Sequence, residues 1–396
     1  LTRVAAVSNA RIISMQRGGS SKDTWVLTEQ AVNTFSLLKH SVGKADLVRG
    51  GRNLSSRVVE NLFWFGRYAE RCDKTSRLLR VALARLVDAG SDALPALISA
   101  LDLCRVLRLL PTDEPADSRA ARKVVAKAPA SRETQLLCAI CGKEWGDGLA
   151  GDIHRLLWVG GQVRERFSVD NWHTINRLQL QLQRYSKAGE DGGGPDPGEA
   201  LAFLDQVLLA SSSLAGFAMD NMTRDDGWRF LIIGRRLERL IFLANAIGQF
   251  LRLDSTRAPG SLEWLLELTD SIITYRSRYM TQPQVLPALD LIVFDAGNPH
   301  SVAFQLLILI RYLDNQARLL GSPREEALRA ALARLQMFDL GRFEGQSFTD
   351  CRSCDPCLDL ADLLGDIALA GAALSDRLAM RHFSHVSDVS HYTLAS

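Results

Sequence analysis

The sequence predicts an all-α protein, a duplicated long-helix bundle with a short β-containing segment at its N-terminal end. Three observations carry that prediction. Between Asn53 and Leu86 the residues Val58, Leu62, Phe65, Ala69, Cys72, Ser76, Leu79, Leu83 and Leu86 recur at alternating steps of four and three, which marks one stripe of a helix. Gly66-Arg67-Tyr68-Ala69-Glu70-Arg71 returns as Gly234-Arg235-Arg236-Leu237-Glu238-Arg239, and an apolar stripe returns in register as Phe230, Ile233, Leu237, Leu240, Ala244 and Ile247. Between the two copies, the glycine and proline cluster from Ala188 to Gly198 reads as a hinge.

Taken in order, residues 1 to 27 differ from the remainder of the chain. Arg11 to Met15 and Thr24 to Leu27 read as short strands around Arg17-Gly-Gly-Ser-Ser-Lys-Asp23. Glycines there tolerate positive φ and expose N–H groups, so Gly18, Gly19, Ser20, Ser21 and Lys22 form a candidate phosphate loop. The P-loop spacing is missing, and a β-turn at a domain edge accounts for the same residues. The chain starts at Leu1 in a strand-like pattern without an initiator Met, as expected for the back part of a longer polypeptide. Residues 28 to 52 read as a linker, 53 to 386 as the helical domain with halves of about 53–187 and 199–386, and 387 to 396 as a tail.

Asn53 or Ser55 is the expected N-cap of the first helix. Helical period continues at Leu94 to Leu110, broken by Pro111, and at Glu133 to Trp145, Leu149 to Leu157 and Val163 to Leu182; Pro111 to Arg132 reads as an exposed connection. The second half runs through Glu199 to Ala215 into the repeated helix, with Asp225 or Asp226 as its cap. Leu262 to Tyr279, Ser301 to Leu320, Arg324 to Leu340 and Leu358 to Arg381 are further helices by period and length. Ala288 to Phe294 is read as helix rather than strand, and Asn298-Pro299 as the cap of the next helix.

Composition narrows the function. Of 396 residues 47% are hydrophobic, enough for a substantial core, and 47 Lys plus Arg against 45 Asp plus Glu leave no global field for nucleic acid or an acidic membrane. Tyr275-Arg276-Ser277-Arg278-Tyr279 has the interleaving that stacks on bases, but that charge balance argues against nucleic acid. No run approaches the roughly 18 apolar residues of a span and no leader is visible, so the expected location is cytoplasmic, away from membranes. Cys138 with Cys141, and Cys351, Cys354 and Cys357, have metal-ligand spacing; loose thiols rather than a metal site are expected. His382, His385 and His391 do not fall on one helix face, and a cationic His near a helix C-terminus is the expected state.

The candidate site is the repeated hexapeptide. Arg67 and Glu70 can pair at i, i+3, while Gly66 lets a second helix approach closely. Two accounts stay open. One is an ion network tying the two long helices together. The other is a cleft lined by Glu60, Arg67, Glu70, Arg71, Arg235, Glu238 and Arg239, binding a carboxylate or phosphate through guanidinium pairs. Asp220, Asn221, Arg224 and Arg229, just before or within the first turns of the second copy, are further contacts for an anion at a helix N-terminus. Glu60, Glu70 and Glu238 are the candidates for proton transfer.

Five blocks, Asn53 to Val81, Val163 to Leu178, Met219 to Leu240, Thr274 to Leu306 and Leu374 to Val386, together resemble the bacterial alpha-E domain family. Its members tend to repeat Asn-Pro-x-Ser in both halves; here it stands as Asn298-Pro299-His300-Ser301 in the second, and the first reads Lys143 to Gly151 instead. Residues 1 to 27 are similar to the extreme C-terminal end of the circularly permuted ATP-grasp domains often fused in front of alpha-E domains, which usually carry a third glycine where Ser20 stands. The resemblance implies an alpha-E component of an ATP-grasp amidoligase system for peptide synthesis or modification, docking the ligase domain or binding a carboxylate or amine substrate. A transglutaminase-like protease is an implied further partner. No cofactor is expected for this chain, ATP and Mg being expected only with a complete ATP-grasp partner. The alternative is a structural or assembly module without a small ligand.

Overall fold

The computed structural model describes residues 2–4, 20–25, 27, 29, 41, 43–44, 47, 55–88, 94–111, 131–141, 148–188, 196–320, 324–348 and 355–383. The chain divides into two compact units, Leu1–Arg49 and Gly50–Ser396, with the boundary inside the stretch read as a linker.

In the first unit, β1 (Thr2–Val4) pairs antiparallel with β2 (Ser20–Lys22), in the register Thr2 to Lys22 and Val4 to Ser20. The expected strand at Arg11 to Met15 lies outside the described residues. Of the one expected at Thr24 to Leu27, the described residues Thr24, Trp25 and Leu27 are not in a strand, and Trp25 and Leu27 are almost fully exposed. Ser20, Ser21 and Lys22 therefore belong to a strand, where the ladder engages backbone groups that an anion-cradling loop would leave open. Gly18 and Gly19 lie outside the described residues.

In the second unit the α-helices are α1 (Ser56–Val87), α2 (Leu94–Val106), α3 (Arg132–Cys141), α4 (Gly148–Gln162), α5 (Val169–Ala188), α6 (Pro197–Asp220), α7 (Asp226–Arg252), α8 (Ser261–Leu268), α9 (Ile272–Tyr279), α10 (Val285–Leu289), α11 (Val302–Leu320), α12 (Glu326–Gln336) and α13 (Asp355–Leu378). Ser55 caps α1 by accepting from the Val58 N–H, and Asp225 caps α7 by accepting from the Trp228 N–H at 3.0 Å. The 32 residues of α1 span about 48 Å. A single buried stripe was the expectation. Instead α1 is buried nearly all round, against α7, α4, α6 and α2, and its polar residues Asn61, Glu70, Asp73 and Lys74 are buried too. α13 and α11 cover α7 from the other side, α5 lies on α6, and α3 lies on α4.

Several boundaries differ from the periodic reading, each for a local reason. α2 stops at Val106 because Arg108 turns left-handed (φ 60°), and the Leu109 N–H reaches the Cys104 carbonyl. Leu262 to Tyr279 is two helices, parted where Asp270 takes φ 53°. α5 begins only at Val169, after a 3₁₀ turn at Arg164–Arg166. Ala288 to Phe294 is helical, as read, but the helix starts earlier, at Val285, and closes in a π turn at Asp290–Phe294. α11 is capped by Ser301, whose hydroxyl accepts from the Phe304 N–H at 3.0 Å, while Asn298 shapes the preceding turn by accepting from the His300 N–H. Among the described residues α6 alone is long and apolar enough to cross a membrane, with a mean hydropathy of 1.5; it packs as a core helix between α1 and α5.

Candidate functional site

The two copies of the hexapeptide meet where α1 crosses α7. A Cβ on Gly66 would lie 2.2 Å from the Leu231 carbonyl oxygen, and one on Gly234 would lie 2.2 Å from that of Phe63. Each glycine thus makes room for the backbone three residues before the other, a reciprocal fit that only the missing side chain permits.

This close approach brings the charged residues across rather than along the helices. The i, i+3 pairing expected of Arg67 and Glu70 is replaced by two mirrored clamps. Glu238 accepts from Arg67 Nε at 2.6 Å and from Arg71 Nε and a terminal nitrogen at 2.7 and 3.2 Å. Glu70 accepts from Arg235 at 3.3 Å and from Arg239 through Nε and, at 2.9 Å, a terminal nitrogen. Two guanidinium groups per carboxylate, one of them bidentate, is the strong form of the contact. Burial alone would raise the Glu70 carboxyl, but Arg239, Lys74 and Arg235 outweigh it and hold the group well below the usual range. For Arg71, burial works against the charge and Glu238 more than restores it, raising the guanidinium above its ordinary value.

The surroundings of the two clamps differ. On the Glu238 side, Arg67 also donates to the Ser375 hydroxyl at 2.6 Å and lies over Trp64, and Arg71 lies over Tyr68. Asp152 stands 3.9 Å from Arg71 and 3.2 Å from Arg155; burial pushes its carboxyl up, and the two arginines offset that only in part. On the Glu70 side, Lys74 is fully buried, 3.7 Å from Glu70 and 3.0 Å from Asp73. Arg77 joins Asp73 and Asp270 at 3.2 Å each, His300 Nε2 lies 3.6 Å from Asp270, and Arg239 reaches the Pro299 carbonyl at 3.5 Å.

The remaining expected site residues fall elsewhere. Glu60 is half-buried, about 15 Å along α1 from Glu70. Asp220 ends α6 and Asn221 is its C-cap, so both sit at a carbonyl-rich helix end rather than at the N-terminus of α7. Arg224 donates to the Ala218 and Met219 carbonyls there and covers Trp228 at 4.2 Å, and Arg229 pairs with Asp226 at 2.5 Å. Arg276 and Arg278 are paired with Glu263 and Asp295, and Tyr275 is buried, its hydroxyl bonded to the Gln282 carbonyl and the Gln284 N–H. Cys138 and Cys141 lie on α3, Cys357 is buried beside Arg257, and Cys351 and Cys354 lie outside the described residues; among the described residues no group of three or more His, Cys, Asp or Glu is assembled for a metal ion. His382 was expected to be cationic; burial, then Arg381, lowers its pKa, and the ring packs edge-on against Phe230. His385 and His391 lie outside the described residues.

Beyond the hexapeptides, Lys74 lies on the same face of α1 as Glu70, whereas Asp73, Asp152, Asp270, His300 and Ser375 were not anticipated. Lys74 four residues after Glu70 was the one available signal. Asp73 precedes it on α1, and the others arrive from α4, the α8–α9 break, the turn before α11, and α13.

The family model Alpha-E, described as a predicted alpha-helical domain with a conserved ER motif, matches residues 54–383. The Glu-Arg steps Glu70-Arg71 and Glu238-Arg239 both lie at the crossing. An uncharacterized protein of Mycobacterium bovis and one from each of two Mycobacterium tuberculosis strains are 28% identical over 330 residues, covering 78% of this chain and 35% of theirs. The match thus spans about a third of the length of these relatives. No solved structure matches the chain.

Proposed function

Since the chain belongs to the Alpha-E family, we propose that it is the helical component of an ATP-grasp amidoligase system that makes or modifies peptides, serving as the body on which the ligase domain docks. The observation that carries this reading is the length of the relatives: the shared domain is about a third of each, so the same helical body is built into larger proteins. The likeness of residues 1–27 to the end of an ATP-grasp domain supports such a domain as the neighbour. In this reading ATP and Mg belong to the complete ATP-grasp partner, and a transglutaminase-like protease is a further partner.

A second reading, a structural or assembly module without a small ligand, is favoured by one observation. Arg67, Arg71, Arg235 and Arg239 are all engaged by Glu238 and Glu70, which fits a scaffold better than an open guanidinium cleft. The same clamp weighs against Glu70 as a general acid or base, since such a group works best with a pKa near the working pH. Co-expression with a complete ATP-grasp protein, followed by copurification and an assay for amino-acid-dependent phosphate release, separates the readings. The ligase reading expects a complex whose turnover needs this chain. Full turnover without it, and no complex, would overturn that reading.

A further inference from the structure

The charges around Glu70 do not balance. Among the described residues Glu70, Asp73 and Asp270 bring three carboxylates, while Lys74, Arg77, Arg235 and Arg239 are joined to them by ion pairs. Arg236 adds a fifth cation beside Arg235 and Arg239. It is half-buried over Phe304, 5.6 Å from the ring centroid, and no described carboxylate pairs with it. A surplus of two positive charges in a partly buried site is costly unless an anion completes it.

One buried donor points the same way. Lys74 Nζ is buried and, although ion-paired, makes no hydrogen bond. The Lys74 side chain is 1% exposed, with Asp73 3.0 Å and Glu70 3.7 Å from the ammonium. Gln305 and Arg239 share the Pro299 carbonyl, and His300 is the next residue, so both Gln305 and His300 border the same charged ring. An ammonium carries three N–H donors, which leaves capacity for a further acceptor. The field of the ring agrees. Burial, then Arg239 and Arg235, brings Arg236 down to about 10, and burial, then Lys74 and Arg239, brings His300 down to about 3 despite the opposing pull of Asp270.

The other clamp carries a smaller excess, Arg67, Arg71 and Arg155 against Glu238 and Asp152. At the repeat offset Phe242 stands where Lys74 stands and Tyr68 where Arg236 stands, so the Glu238 side has neither extra cation. We propose that the Glu70 side binds a single oxyanion group, a carboxylate or a phosphate, held between Lys74, Arg236, Arg239 and His300. The guanidinium of Arg236 supplies the open fork and Lys74 the buried charge.

The test is titration of the purified full chain with sodium phosphate, sodium glutamate and, at matched ionic strength, sodium chloride, read by melting temperature and by the NMR signal of the His300 ring. Phosphate or glutamate is expected to raise the melting temperature and move the His300 signal beyond the chloride control, and the anion that acts identifies the group. Arg236→Gln, which breaks no ion pair, is expected to keep its fold and weaken that response about tenfold or more, while Tyr68→Phe leaves it unchanged. No response to either anion beyond chloride, or an equal response in Arg236→Gln, overturns the proposal. The docking reading is scored by copurification and is independent of this result.

Discussion

The two clamps at the α1–α7 crossing are each built from one glutamate and two arginines, yet one is a closed unit and the other is part of a larger charged ring. On the Glu238 side the neighbours are an aromatic pair, a hydroxyl and one buried aspartate. On the Glu70 side they are Lys74, Asp73, Arg77, Asp270 and His300. The difference teaches that duplication kept the pairing, which the crossing geometry requires, and left the surroundings free to diverge. Exposure follows the same division: Glu70 is 1% exposed, whereas Arg71, the outer arginine of the Glu238 clamp, is 34% exposed.

The comparison is broken or sharpened most strongly by removing each carboxylate in turn. Glu70→Gln leaves Arg235, Arg239 and Lys74 buried without their shared anion and is expected to lower stability by about 3–5 kcal/mol. Glu238→Gln, where water reaches Arg71, is expected to cost about 1–3 kcal/mol. Urea denaturation midpoints measure both, and equal losses would erase the distinction between the sides. Next come the glycines. Gly66→Ala and Gly234→Ala each push a methyl group into a backbone carbonyl and are expected to lose similar amounts, about 1–3 kcal/mol or more; a large loss at only one would show that the crossing is not reciprocal.

A pH series probes the Glu70 side alone. His300 is held down at about 3 in the fold by burial, Lys74 and Arg239, so below pH 6.5 the unfolded chain binds the proton first and stability falls as pH drops, until the folded ring also titrates. From pH 7 to 5.5 the expected loss from this group is about 1 kcal/mol. His300→Gln should remove it, and an unchanged slope would place the titrating group elsewhere. On the Glu238 side, Ser375→Ala removes one bond from Arg67 while Glu238 remains, and a loss of about 1 kcal/mol in the same denaturation assay is expected. Arg80→Ala, which removes a surface pair with Asp205, should stay within about 0.5 kcal/mol.

Much of the fold was legible because the signals were local. The caps at Ser55 and Asp225, the four-and-three period of α1 and α7, and the glycine repeat each depend on neighbours in sequence. Breaks at Arg108 and Asp270 were not legible, since left-handed backbone at a non-glycine residue is imposed by packing rather than announced by residue type. Nor was the burial of α1 on all sides. Asn61, Glu70 and Lys74 stand beside the apolar stripe as a polar face, and partners more than a hundred residues away help to make that face interior.

By itself the sequence determined that two long helices carry the same Gly-Arg-x-x-Glu-Arg set, because helical period and repetition are written in consecutive residues. It left open whether each arginine answers the glutamate on its own helix or on the other. Tertiary structure decided for the other helix: with glycine at both crossing points the backbones come close enough for each carboxylate to be reached from across the interface. The unequal charge around the two clamps was decided there as well, since Asp270 and His300 approach Glu70 from remote segments whose positions no local pattern records.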